Sequence, residues 1–147
     1  TILLLTSLLL ACNAGNENEK TITTESAAEN HAEHAEQVSG LALNNGAKWK
    51  ADSTTLVNVD LLQKIISGAK KESLENYTQT AIGLQDGLNK MIIDCKMKGA
   101  DHVALHHWLE PLLEKTKTLK NANNIATAGI TFGEIEKQID LFPQYFE

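Results

Sequence analysis

From about residue 53 to the end of this 147-residue chain, apolar side chains recur at steps of three and four. That spacing gathers them on one face of an α-helix and does not fit the two-residue alternation of a half-buried strand. Four stripes result. The first holds Leu56, Val59, Leu62, Ile66 and Ala69; the second Leu74, Tyr77, Ala81, Leu84, Leu88, Met91 and Cys95. The third holds His102, Leu105, Leu109, Leu112, Thr116 and Leu119, and the fourth Phe132, Ile135, Ile139, Phe142 and Phe146. A one-sided helix must cover its stripe against another element, and short connections make sequential helices antiparallel. The expected fold is therefore all-α, an antiparallel four-helix bundle.

Local signals suggest the boundaries. Ser53 or Thr54 can cap the first helix. Gly68 and Ser73 mark a break, and the second helix is expected over about 73–97, with Gly99 as its C-terminal glycine. Asp101 can cap a third helix over about 102–120, which Pro111 should kink by removing a donor to the carbonyl of His107. Thr131-Phe132-Gly133-Glu134 fits a capping box, with Ile130 and Ile135 placed for a hydrophobic staple, although the periodicity runs back through Ile125. Residues 41–52 read as a lead-in lying across the bundle. Leu41, Leu43 and Trp49 are its anchors and Asn44-Asn45-Gly46 its turn.

The first forty residues are of another kind. Ile2 to Leu10 is nearly all apolar, too short for a spanning helix of roughly 20 residues and of the length of a signal-peptide core. Residues 1–11 are expected to be a signal segment lacking its first few residues. Leu9-Leu10-Ala11-Cys12 resembles the lipobox of bacterial lipoprotein precursors, with Leu10 larger than the small residue usual there. The resemblance implies lipid on Cys12 and a protein held on the outer side of a bacterial membrane, in the periplasm or at the cell surface. Residues 12–40 then form the lipidated cysteine and a flexible acidic tether, too poor in apolar side chains to offset its ordering entropy. His31 and His34 within it could collect metal weakly, although a solvated spacer is the simpler reading. Residues 41–147 are the bundle domain.

The formal charge of −6 and the lack of any arginine argue against a nucleic-acid partner, which needs clustered cations to meet phosphates. With Cys12 lipidated, Cys95 has no disulfide partner within the chain. The informative segment is Met91 to Pro111. Cys95 falls on the second stripe with Met91 one turn before it. His102 lies within the third stripe, His106 on its flank, and His107 points away. A tight turn at Gly99 should bring Cys95, His102 and His106 into one layer, with Met91 or Met97 near. Sulfur with imidazole suits copper(I), and Cys with His also suits zinc. Against this stands the ordinary reading of a buried Cys as a small hydrophobe.

The pattern Cys-x-Met-x-Gly-x-x-His-x-x-x-His-x-Trp-Leu, with Tyr145-Phe146 near the end, looks like an uncharacterised family of small helical lipoproteins of Bacteroidetes over roughly 41–147. That resemblance implies the bundle and the lipoprotein class and no activity. Three functions are open: a bundle handling copper or zinc outside the cytoplasm, with Cys95, His102, His106, Met91 and Met97 as candidate ligands; a cofactor-free interaction module tethered near a membrane complex; and a b-type haem bundle. Covalent haem attachment is excluded because Cys-x-x-Cys-His is missing. A Cys95–His102 nucleophile pair has no accompanying Gly-rich turn or oxyanion motif, so no enzyme is expected.

Overall fold

The computed structural model describes residues 40–147. Cys12, the expected signal segment and the expected tether with His31 and His34 lie outside them. Four long helices follow in order: α1 Ser53–Ser67, α2 Leu74–Asp94, α3 Gly99–Lys120 and α4 Ile125–Asp140. A single turn, α5 Phe142–Tyr145, closes the chain. Among the described residues there is no strand, only two isolated bridges. Each long helix packs chiefly on its sequence neighbours across short connections, which is the expected antiparallel four-helix bundle.

The stripes form its core, except that Leu56 of the first is 39% exposed. Val59 and Leu62 of α1, Leu84 and Leu88 of α2, Leu105 and Leu112 of α3, and Phe132 and Ile135 of α4 are all buried. Trp108 is fully buried and ties α3 to α4 twice. Its indole Nε1 donates to the carbonyl of Gln138 at 2.7 Å, and the buried Gln138 amide donates back to the carbonyl of Trp108 at 2.8 Å. Its ring meets Phe142 edge-on at 4.9 Å. The turn of α5 thus seals one end of the core.

Several boundaries differ from the local signals. Asp52, not Ser53 or Thr54, caps α1, accepting from the Thr55 amide at 2.7 Å. Helix α2 stops at Asp94 rather than near 97, and α3 begins at Gly99, not 102. Gly99 has φ +64°, a conformation that suits glycine and lets the chain reverse at once into α3. Asp101 caps nothing; it sits in the first turn of α3 and accepts from the Lys50 amide at 3.0 Å. The fourth helix starts at Ile125, capped by Asn124, whose side chain accepts from Thr127 at 2.8 Å. Thr131 is therefore a buried mid-helix residue and Ile130, 68% exposed, staples nothing. The earlier cap prevails because the apolar phase already runs through Ala128, so burial favours helix there. Helix α3 runs on through Pro111.

The lead-in lies across the bundle as a strap. Asn44 and Ala47 exchange hydrogen bonds at 2.9 and 3.0 Å around Asn45-Gly46, both at positive φ. Leu41 is buried, Trp49 partly so, and Leu43 is 43% exposed and anchors nothing. Trp49 accepts from the Glu147 amide and donates to the carbonyl of Tyr145, and the Ala51 amide donates to Glu147, at 2.8–2.9 Å. Gly40, at φ +99°, packs its backbone on the ring of His107.

Candidate metal centre

The turn between α2 and α3 is held from α1. The Asp52 carboxylate takes the Thr55 amide and the Thr54 hydroxyl on Oδ1, and the Lys96 amide on Oδ2 at 2.7 Å. Thr54 also lies 3.2 Å from the carbonyl of Asp94, in the last turn of α2. The cap of α1 thus also ties down the turn after α2. Partial burial pushes the Asp52 carboxyl up, but the hydrogen bonds from Thr55, Lys96 and Thr54 outweigh it and hold the group down at about 2. Asp94 is also lowered, chiefly by the Lys90 ammonium bonded to it.

This anchoring ends α2 one residue before Cys95. Cys95 therefore leaves the helical phase and takes an extended backbone, φ −61° and ψ 126°. Its thiol, partly buried, turns to the first turns of α3. Cys95 Sγ lies 3.6 Å from His102 Nδ1. His106, one turn further on, lies with its Nε2 3.1 Å from His102 Nε2, the rings edge to face with centroids 4.7 Å apart. Glu110, one more turn along, brings Oε1 to 3.3 Å from His106 Nδ1. Cys95, His102, His106 and Glu110 thus form a file running from the turn out to solvent.

The proton order in that file follows from which groups can donate. The Glu110 carboxylate only accepts, so the proton of a neutral His106 sits on Nδ1. Its Nε2 then accepts from Nε2–H of His102, and the lone pair of His102 is left on Nδ1, facing Cys95. A sulfur and a nitrogen held by one tetrahedral ion, at about 2.3 and 2.05 Å, stand about 3.6 Å apart. The Cys95–His102 separation matches that edge.

The five candidate ligands have different fates. Cys95 and His102 meet as expected. His106 joins them, but on the opposite nitrogen of His102, so the three do not point at one centre. Among the described residues, no three His, Cys, Asp or Glu side chains are arranged to hold one ion. Met91 is fully buried in the apolar core. Met97 turns to α1, its Sδ 3.6 Å from the Thr55 hydroxyl, and packs against the core edge. His107 points away, under Gly40.

The supporting residues Asp52, Thr54, Thr55 and Glu110 escape a reading of the sequence aimed at ligands. Glu110 was within reach of one, since it follows His106 by four residues on the same face. Asp52 stands more than forty positions from Cys95, and no local pattern links them. Compared with known proteins, the chain matches no family model, no curated relative and no solved structure.

Proposed function

We propose that this protein is a lipid-anchored bundle that binds a soft or borderline metal ion, copper(I) foremost and zinc next, outside the cytoplasm. The observation that carries the reading is the 3.6 Å approach of Cys95 Sγ to His102 Nδ1. A thiolate and an imidazole suit copper(I), which accepts few and soft ligands. His106 and Glu110 act behind His102, holding its ring and tautomer as outer partners of metal-bound histidines do. Met97, in the same turn, is the nearest candidate in sequence for a third, soft ligand.

Membrane attachment rests on Cys12 and its lipobox. No helix among the described residues is long and apolar enough to cross a bilayer. Cys12→Ala should move the protein into the soluble fraction, since acyl chains supply about 0.8 kcal/mol per buried CH2. Retention of the variant on membranes in high salt would discard the lipid anchor.

The metal reading is tested by competition with a chromophoric copper(I) chelator. Cys95→Ser and His102→Ala should each lower copper(I) affinity about tenfold or more, and His107→Ala should leave it unchanged. Equal affinity in all three variants, or no binding by the parent protein, defeats it. The cofactor-free interaction module would then lead, because Ile92, Ile93 and Val103 stand exposed at this end, Ile93 at 81%.

A further inference from the structure

His102 is approached from both sides of its ring. Nδ1 faces sulfur at 3.6 Å and Nε2 faces a second imidazole nitrogen at 3.1 Å. Two nitrogens bound at about 2.05 Å to one ion stand about 2.9 Å apart at a right angle and about 3.3 Å at the tetrahedral angle. The His102–His106 separation falls between these. Glu110 on the far side of His106 supplies the carboxylate–histidine arrangement that frees Nε2 for a metal. The ring therefore belongs to two possible chelates with different ligand chemistry.

We propose that His102 is shared by two mutually exclusive half-sites: a soft one, Cys95 Sγ with His102 Nδ1, for copper(I), and a borderline one, His102 Nε2 with His106 Nε2, for zinc. The inference rests on the metal-binding reading and adds a selection rule to it. A neutral imidazole has one lone pair and one N–H. Copper(I) on Nδ1 keeps the proton on Nε2, where it is donated to His106. Zinc between the two Nε2 atoms needs that proton moved, through water, to Nδ1, where it faces Cys95. Occupying either half-site thus removes the donor that the other requires. The two metals compete, although they share only one residue and no coordinating atom.

Competition titrations on the full mature protein test this, with zinc and copper(I) each buffered by a chelator. The parent should bind one ion of either kind, and copper(I) should displace zinc. Cys95→Ser should lose copper(I) binding about tenfold or more while zinc affinity changes less than about threefold. His106→Gln should do the reverse, because glutamine can still accept from His102 Nε2–H but supplies no imidazole to zinc. His102→Ala should lose both. The nitrogen-15 shifts of His102 in the parent give a readout that no variant can confound: Nδ1 should carry the metal signature with copper(I), and Nε2 with zinc. If Cys95→Ser and His106→Gln weaken both metals alike, the three residues make one site and the two-site inference falls while the metal reading stands. Simultaneous binding of both ions overturns the exclusivity. If zinc binds through the histidine pair and copper(I) does not bind at all, the copper reading and this inference both fail. Binding of neither metal removes the metal reading itself.

Discussion

The second and third helices carry their stripes from a sealed interior out to an open turn, and the two stretches behave differently. In the interior, Leu84, Leu88, Met91, Leu105 and Leu112 have essentially no exposure. At the turn, Cys95 and His102 occupy the next positions of the same stripes but are only partly buried, with Asp52, Thr54, His106 and Glu110 around them. Helical phase alone secures burial only where a neighbouring helix covers the face. Where α2 stops, backbone groups need polar partners, and those partners fix the turn without filling it. The result is a set of polar side chains with solvent access on a turn held by hydrogen bonds from α1.

If the interior carries stability and the turn carries chemistry, Trp108→Ala should cost about 3–5 kcal/mol in denaturant unfolding. Deletion at the turn by His102→Ala should cost under about 1 kcal/mol. Equal losses would show the turn to be part of the core. Asp52→Ala lies between, because it removes a cap and the anchor of Lys96; about 1–2 kcal/mol is expected. Amide exchange at Lys96 should speed up in that variant while exchange in the middle of α2 does not.

Acid sharpens the role of Asp52. Its carboxyl falls from an ordinary 3.8 to about 2 on folding, so the charged form is favoured by the fold. That contribution is complete above the unfolded value, shrinks as pH drops below it, and is lost once pH passes the folded value. Asparagine also caps helices but does not titrate. The stability difference between the parent and Asp52→Asn should therefore narrow between about pH 5 and pH 2, and a constant difference would contradict the assignment.

The smallest expected effect is a gain. The Thr116 hydroxyl is buried in α3 without a partner, whereas Thr80 donates to the carbonyl of Asn76 at 2.9 Å. Thr116→Val should stabilise the fold by up to about 1 kcal/mol, and Thr80→Val should not. A loss of stability in Thr116→Val would mean that its hydroxyl is satisfied in solution.

The sequence by itself determined four helices, the faces they bury, the Asn-Gly turn and the pairing of His102 with His106. All of these depend on spacing along a few turns of chain, and the 3.6-residue period is a local property. It also brought Cys95 toward His102, through the shortness of the turn. It read Cys95 as part of a helix, however, and joined His106 to the same centre. Only the tertiary structure decided that α2 ends at Asp94, that Asp101 holds the strap instead of capping α3, and that opposite nitrogens of His102 face Cys95 and His106. Helix ends expose backbone groups that any suitable partner can satisfy. At this turn the partner that prevails is Asp52, distant in sequence and brought near only by folding.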